Sequence, residues 1–263
     1  MVGESRNLTL VVPVFNEAKR WNKVYWSQVL AISNINWIFV DDGSSDNTSE
    51  ILAELENLTN VRVLELSLNL GKAEAIRFGF NHYFANHSLT SLKKSFIGYI
   101  DADEAFNPEE ISRFLNLSVH DSNNLVSQGF QAIWSSRVQL RGRRIERKKY
   151  RHYLGRIIIS FLGSASPTIP YDSQSGFKIF VADEFLPQVF IEKFKTKWFI
   201  DLEIATRYQH ISKSQLRIWE EPLLFWKDIG GSAIKIRSLP TIFIEVLRIY
   251  FLLRKSTSEA NRK

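Results

Sequence analysis

Acidic side chains follow three predicted strands in the first half of the chain. Glu17 lies in VPVFNEA, Asp41 and Asp42 lie in FVDDGSSDNT, and Asp101 and Asp103 lie in IDADEA. Because the carboxyl ends of parallel strands meet at one edge of a sheet, we expect these side chains to surround a single site. Two carboxylates one residue apart can present oxygens to one Mg²⁺ or Mn²⁺ that also takes diphosphate oxygens. Each motif alone could also be a turn or a helix cap, because acidic residues favour both positions.

A basic stretch in the second half of the chain has the opposite charge. Residues 137–156 contain nine Arg or Lys residues against a single acidic residue, Glu146, which gives a local charge of +8 in a chain of net charge +6. Such a stretch favours phosphate-rich partners, which include nucleic acids, anionic lipid head groups and phosphorylated substrates. Only Tyr150 and Tyr153 are interleaved aromatic residues, so we expect no nucleic-acid partner.

Composition and missing motifs narrow the class of protein. The chain has 263 residues, of which 44% are hydrophobic, enough for one large α/β domain. It has no cysteine, which rules out disulfides and thiol chemistry and fits a cytoplasmic protein. The first residues lack the basic and apolar regions of a signal peptide, which supports the same expectation. Neither GxGxxG after the first strand nor GxxxxGK[ST] occurs, so dehydrogenases and P-loop NTPases are not favoured.

The elements that must position these residues alternate in type. The apolar runs LTLVVPV, WIFVD, VRVLEL and FIGYID read as strands, and residues 19–32, 48–58 and 72–84 between them read as helices. This order predicts an α/β fold with a Rossmann-like, mostly parallel sheet and helices on both faces. We expect one domain over residues 1–238, followed by an amphipathic helix and a basic tail over residues 239–263.

Two apolar segments could lie at a membrane. LPTIFIEVLRIYFLL, residues 239–253, is about 15 residues long and contains Glu245 and Arg248, so it is too short to span a bilayer. It could lie in a membrane interface or pack on the domain as a terminal helix. YLGRIIISFLGSASPTIP, beside the basic stretch, could seat a lipid chain or form a buried core helix.

Seven motifs carry a resemblance to a known family. In chain order they are VVPVFNEA, FVDDGSSDNT, NLGKAEAIRFG, IDADEA, SSR, YDSQSGFKIF and WFIDLEI. The set resembles family 2 glycosyltransferases of the GT-A fold, and within them the dolichyl-phosphate glucosyltransferases, which are related to the polyprenyl-phosphate mannosyltransferases. The resemblance implies an inverting, metal-dependent transfer of a hexose, glucose or mannose, from UDP- or GDP-hexose to polyprenyl or dolichyl phosphate. It also implies peripheral attachment to the cytoplasmic face of a membrane with an anionic surface.

The same resemblance assigns roles to single residues. Those expected to contact the nucleoside or the phosphates of the donor are Pro13, Glu17, Asp41, Asp42, Lys72 and Asp101. Asp101 and Asp103 would bind Mg²⁺ or Mn²⁺, and Asp103 is counted as catalytic for that reason. Arg137 and Arg151 would bind the acceptor phosphate and the departing diphosphate, since arginine forks match phosphate oxygens.

The sequence departs from the family pattern at two positions. Where the mannosyltransferases have a glutamine two residues beyond D-x-D, this chain has Ala105, which puts metal affinity in question. In the glucosyltransferase pattern D-x-Q-C-G-F-K, the cysteine is replaced by Ser175, while Asp172, Gln174 and Gly176 are present.

Asp172 separates two versions of the reaction. If the acceptor were a sugar or lipid hydroxyl, a general base would be needed, and Asp172 is the candidate. A lipid phosphate needs no base, so Asp172 would then position the acceptor or an arginine. Asp201 and Glu203 in WFIDLEI could be functional or could be structural partners of the arginines. A non-catalytic protein that binds nucleotides or membranes is the alternative from another class, and Ala105 is its only support.

Overall fold

The computed structural model of the chain describes residues 7–88, 95–120, 125–146, 149–166, 169–227 and 239–260. The strands are β1 (Leu8–Val14), β2 (Ile35–Asp41), β3 (Val61–Glu65), β4 (Phe96–Ile100), β5 (Ala132–Ser136), β6 (Arg144–Glu146), β7 (Phe177–Val181), β8 (Ile218–Pro222) and β9 (Phe225–Lys227). The helices are α1 (Lys23–Leu30), α2 (Thr48–Leu55), α3 (Lys72–Ala85), α4 (Pro108–Leu115), α5 (Lys149–Gly163), α6 (Leu186–Val189), α7 (Ile200–Ser212) and α8 (Leu239–Ala260).

A seven-stranded sheet organises the molecule, in the order β3-β2-β1-β4-β7-β5-β8. Strand β7 runs antiparallel to both of its neighbours, whereas the other pairings in this sheet are parallel. Strands β6 and β9 form a separate parallel pair. The predicted α/β fold with a mostly parallel sheet is therefore confirmed.

Alternate residues of each strand point to opposite faces of the sheet, and helices cover both faces. On β1, Leu10 packs into one core cluster with Trp26 of α1, and α4 closes the same side. Val11 packs into a second cluster on the other side, with Phe80 of α3 and Ile204 of α7. Helices thus lie on both faces, as predicted.

Helix boundaries follow the capping residues rather than the apolar pattern alone. Helix α1 begins at Lys23 and not at residue 19, because the Asn22 side chain accepts hydrogen bonds from two backbone N–H groups of its first turn. At α2, the carboxylate of Asp46 accepts a hydrogen bond from Thr48 N at 3.1 Å, and Asn47 makes no side-chain cap. This helix ends at Leu55, three residues before the predicted end.

Helix α8 packs on the domain through one side. Its buried residues Ile242, Val246, Ile249 and Leu253 form a third cluster with residues of α5 and α7, including Leu162. Its other side remains exposed. Among the described helices, none is long and apolar enough to cross a membrane. The predicted boundary between residues 238 and 239 stays a prediction, because residues 228–238 lie outside the described ranges.

Candidate active site

The strand ends bring the predicted donor residues to one pocket at the edge of the sheet. Strands β1, β2 and β4 end there, and the antiparallel β7 begins there. The pocket has a volume of about 180 Å³ and is lined by Pro13, Val14, Phe15, Glu17, Asp42, Lys72, Asp101, Ala102 and Asp103. Of the residues predicted to contact the donor, Asp41 alone is missing from this lining.

Asp41 and Asp42 shape the loops around the pocket. Asp41 is 1% exposed and accepts hydrogen bonds from Ser44 N at 2.9 Å and from the Ser49 hydroxyl at 2.5 Å. Asp42 accepts hydrogen bonds from the backbone N–H groups of residues 70 and 71 at 2.8 and 2.7 Å. Burial raises the pKa of Asp42, although these two N–H groups act in the opposite direction. Asp42 thus reaches the pocket while it holds the loop before α3.

The loop after β1 is held by the hydroxyl group of Thr48, which was not among the predicted site residues. The Thr48 hydroxyl oxygen accepts hydrogen bonds from Glu17 N at 2.9 Å and from Ala18 N at 3.0 Å. Glu17 pairs with Arg20 at 2.5 Å, yet burial raises the pKa of its carboxyl group. The start of α2 therefore fixes the position of Glu17 in the pocket.

Asp101 and Asp103 lie side by side at the end of β4. Lys72 Nζ is 2.5 Å from Asp101 Oδ1. Burial lowers the pKa of Lys72, but the charge and hydrogen bond of Asp101, together with the charges of Asp201 and Asp103, outweigh it and the net shift is upward. Burial and the nearby Asp101 charge raise the pKa of Asp103 to about 6. When Asp101 and Asp103 are both ionised they carry two negative charges, and the single positive charge of Lys72 balances only one of them.

The donor atoms at this position suit a divalent cation. Mg²⁺ commonly takes one or two carboxylates from a protein and completes its coordination with water and substrate phosphates. Asp101 and Asp103 are such a set, and their mutual repulsion would fall if a cation were bound. Ala105 is buried in the apolar core and supplies no ligand. Among the residues that the structure describes, no group of three or more His, Cys, Asp or Glu side chains is arranged to hold a metal.

Gly176 has no side chain, and the carboxylate of Asp101 occupies the space where a Cβ atom would be. The backbone N–H of Asp101 donates to Gly176 O at 2.9 Å. A Cβ atom at Gly176 would lie 2.3 Å from Asp101 Oδ2, which no real contact allows. The turn before β7 therefore sets the position of Asp101.

Arg137 and Asp172 form a buried pair on the other side of β7. Arg137 Nε and Nη2 donate to the two carboxylate oxygens of Asp172 at 2.7 Å each, and Arg137 N donates to Oδ2 at 2.9 Å. The guanidinium also lies 5.2 Å from the ring of Trp226. Glu220 accepts a hydrogen bond from Asp172 N at 2.9 Å. The predicted acceptor residue Arg137 is thus fixed in orientation, while the side chain of Arg151 lies outside the described part of α5.

Asp201 and Glu203 have partners other than the arginines of the basic stretch. Asp201 lies 3.2 Å from Lys178 Nζ and accepts a hydrogen bond from the Tyr99 hydroxyl. Glu203 pairs with Arg207 of its own helix at 2.8 Å. Of the two alternatives, a structural role is therefore supported for Glu203, whose arginine partner comes from its own helix, whereas Asp201 pairs with a lysine that β7 brings to the start of α7. Burial raises the pKa of Asp201 to about 8 and lowers that of Lys178 well below its usual value.

Residues 9–185 match the model of the family described as Glycosyl transferase family 2. The chain belongs to this family. This family 2 glycosyltransferase is 26% identical over 257 residues to a dolichyl-phosphate beta-glucosyltransferase of Trichomonas vaginalis, across 94% of the chain and 71% of that relative.

Two solved structures share the fold of this glycosyltransferase. The first is glucosyl-3-phosphoglycerate synthase from Mycobacterium tuberculosis in complex with Mn²⁺, UDP and glucosyl-3-phosphoglycerate, with a TM-score of 0.57 at 15% identity over 95% of this chain and 80% of that one. The second is a mannosyltransferase from Pyrobaculum calidifontis in complex with GDP-Man and Mn²⁺, with a TM-score of 0.54 at 16% identity over 99% of this chain and 66% of that one. At this identity the likeness shows the fold, and it confirms the predicted GT-A architecture. With the family match, the chain is a nucleotide-sugar glycosyltransferase.

Proposed function

We propose that this enzyme transfers a hexose, glucose or mannose, from UDP- or GDP-hexose to the phosphate of a polyprenyl or dolichyl phosphate, with inversion at the anomeric carbon. The observation that carries the proposal is that one sheet edge has two halves, with a group of carboxylates on one side of β7 and Arg137 on the other. An acidic pocket with Asp101 and Asp103 lies at the end of β4, and the Arg137–Asp172 pair lies across β7. The dolichyl-phosphate glucosyltransferase of T. vaginalis supports this choice of acceptor.

The acidic half would bind the nucleotide sugar. Glu17 and Asp42 line the pocket beside Pro13 and offer carboxylate oxygens to hydroxyl and N–H groups of a nucleoside. Asp101 and Asp103 would hold Mg²⁺ or Mn²⁺, which stabilises negative charge on the departing diphosphate when bound. Lys72, next to Asp101, adds a second positive group at the phosphates.

The half that contains Arg137 would bind the acceptor. A phosphate monoester carries one to two negative charges at neutral pH, since its second pKa is about 6, so its oxygen is a nucleophile without a base. Direct attack of that oxygen on the anomeric carbon gives inversion. Arg137 and Arg151 would hold the acceptor phosphate, and Asp172 would fix the plane of the Arg137 guanidinium. Rate acceleration then comes from positioning and electrostatic stabilisation.

The contacts of Asp172 favour a phosphate acceptor over a hydroxyl. Arg137 donates to both Asp172 oxygens, so this carboxylate is engaged as a partner of an arginine rather than directed at a substrate proton. A general base must lie within hydrogen-bond reach of the proton that it removes. The hydroxyl-acceptor alternative therefore needs Asp172 to leave Arg137.

The attachment to a membrane would use an exposed apolar surface on α5 and α8. This surface, the α5–α8 apolar face, comprises Tyr153, Ile157, Phe161, Phe243 and Phe251, whose exposed fractions range from 43% to 67%. Phe161 stacks on Tyr250 with ring centroids 4.8 Å apart, so the two helices present one continuous surface. We propose that it lies on the cytoplasmic face of a membrane with anionic lipids, next to basic residues of both helices.

A transfer assay tests the reaction. Label from a panel of UDP- and GDP-hexoses would be followed into an organic-extractable product, with undecaprenyl or dolichyl phosphate present or absent. Each condition would be run with Mn²⁺, Mg²⁺ or EDTA. We expect a lipid product from one donor that requires both the lipid phosphate and the metal. Hydrolysis of a donor without any lipid product would contradict the acceptor and favour a hydroxyl.

The variant Asp172→Asn separates the two roles of Asp172. Asn keeps the shape but removes the charge that holds Arg137, so we expect the KM for lipid phosphate to rise roughly tenfold. The kcat at saturating acceptor should fall less than tenfold, because no proton transfer is lost. A loss of kcat of about a hundredfold or more would favour the general base.

A further inference from the structure

A buried lysine, Lys178, lies between the two halves of the site and takes no part in the reaction proposed above. Its side chain is 0% exposed. In the middle of the sheet, Lys178 of β7 stands opposite Tyr99 of β4 and Trp134 of β5. Its Nζ atom is 5.5 Å from the centre of the Tyr99 ring and 5.1 Å from that of Trp134. The amino group is therefore enclosed by two aromatic rings.

The polar contacts of Lys178 reach two separate elements. Nζ lies 3.2 Å from Asp201 Oδ1, in the first turn of α7, and Tyr99 donates its hydroxyl hydrogen to the same carboxylate oxygen. Nζ also donates to the carbonyl oxygen of Ser175. A buried charge is costly unless it is paired and hydrogen-bonded, and an apolar side chain would fill the same space at lower cost. The presence of a lysine at this buried position is best explained by its contact with the segment that contains Ser175.

That segment is the turn of residues 172–176, which contacts both halves of the site. At one end of the turn, Asp172 holds Arg137 through both carboxylate oxygens. At the other end, Gly176 accepts a hydrogen bond from Asp101 N at 2.9 Å and borders the Asp101 side chain. The bond from Lys178 to Ser175 O fixes the turn between these two ends.

We propose that Lys178 is a positioning residue: with Asp201, it fixes the turn 172–176 and so sets the separation between the diphosphate-binding and acceptor-binding groups. The kinetic part of this inference rests on the proposed function, whereas the structural part does not. In-line attack requires the reacting atoms to approach within about 3 to 3.5 Å, and a misplacement of 1 Å can reduce the rate by about 10²-fold. A loosened turn should therefore slow transfer without weakening nucleotide binding.

Hydrogen exchange tests the structural part. In Lys178→Met, the methionine fills the space of the aliphatic chain and removes the bond to Ser175. We expect the backbone amides of residues 173–176 to exchange at least about tenfold faster, since their local opening becomes easier, with smaller changes elsewhere in the sheet. The double variant Lys178→Met with Asp201→Asn serves if the single variant fails to fold, because it leaves no unpaired buried charge. Lys23→Met, at a lysine whose side chain is 74% exposed, is the matched control.

Kinetics test the positioning role. For the folded variant we expect UDP or GDP affinity within about threefold of wild type, and a kcat lower by about 10²-fold. Unchanged exchange in residues 173–176 or a kcat within threefold of wild type would overturn the inference. If the wild type itself makes no lipid product, the proposed function fails and the exchange result alone decides the role of Lys178.

Discussion

Asp103, which is proposed to bind the metal, shows how one carboxylate in a pocket can weaken the fold. Burial and the Asp101 charge raise the pKa of its carboxyl group from 3.8 to about 6. The folded chain therefore binds this proton more tightly than the unfolded chain, and ionisation of Asp103 lowers the free energy of unfolding. The loss is absent below about pH 4, grows as the pH rises and is complete above about pH 6. A bound cation would remove it.

We predict that Asp103→Asn stabilises the metal-free protein and inactivates the enzyme. In EDTA at pH 8 the free energy of unfolding should rise by up to about 3 kcal/mol, because one pKa unit corresponds to about 1.4 kcal/mol. The gain should vanish below about pH 4, where Asp103 is protonated in both states. Transfer with Mn²⁺ should fall at least about a hundredfold. Thermal unfolding across pH and the transfer assay measure both effects.

Addition of Mn²⁺ provides the control for this prediction. The melting temperature of the wild type should rise with Mn²⁺, since a ligand of the folded state stabilises it. That of Asp103→Asn should respond much less. Equal responses of the two proteins, or wild-type transfer by the variant, would exclude Asp103 as a metal ligand.

The positions of the acidic residues in the pocket could be predicted from the order of the strands. Acidic residues that follow apolar runs come to the same edge of a parallel sheet, so Glu17, Asp42, Asp101 and Asp103 could be placed together before the structure was known. Lys178 could not be placed in this way. Its partners come from β4, β5 and α7, which are far apart in sequence, and the only local signal is a lysine inside the apolar run FKIFV.

At the level of elements, the direction of β7 was the feature that the sequence did not specify. A short apolar strand reads the same in either direction, so periodicity predicts the strand but not its antiparallel insertion between β4 and β5. This insertion brings the turn 172–176 to the edge where β4 ends. The group of carboxylates could therefore be predicted from local patterns, whereas its connection to Arg137 depends on topology.

Helix α8 is tied to the start of α7 by a buried carboxylate. Glu245 is 4% exposed and accepts hydrogen bonds from Lys197 N at 3.0 Å and Trp198 N at 2.8 Å. Glu203 accepts from the two preceding backbone N–H groups, those of residues 195 and 196. The loop that leads into α7, and so to Asp201, is held by carboxylates from both helices.

We predict that Glu245→Ala lowers the free energy of unfolding by about 2 to 3 kcal/mol, because two buried N–H groups lose a charged acceptor. The neighbouring Ile244→Ala, at a side chain that is 57% exposed, should change stability by less than about 0.5 kcal/mol. Chemical denaturation of both variants measures the difference. If Glu245→Ala were as stable as Ile244→Ala, helix α8 would not depend on this contact.

At the scale of the whole molecule, helix α5 links the active-site edge to the α5–α8 apolar face, because Arg156 of this helix lies 4.0 Å from the ring of Tyr171, next to Asp172. Helix α5 begins within the basic stretch, and it packs with α8 through the cluster that contains Leu162 and Ile249. A lipid acceptor has its phosphate at the head group and its chain in the bilayer. A glycosyltransferase that uses it benefits from a surface that lies on lipid while its arginines face the head groups.

We predict that the double variant Phe243→Ser with Phe251→Ser binds vesicles more weakly than the wild type. Both side chains are 63% exposed, so the substitutions remove apolar surface without disturbing the core. The partition coefficient on vesicles that contain anionic lipids should fall at least about tenfold, since insertion of one Phe side chain contributes about 1.5 to 3 kcal/mol. Raising the salt concentration should weaken binding of both proteins, because it screens the basic residues.

The control Val24→Ser, at a side chain that is 66% exposed on α1, should bind as the wild type does. Equal binding by the double variant and the wild type would place the membrane contact elsewhere, whereas loss of binding with unchanged thermal stability assigns it to this face.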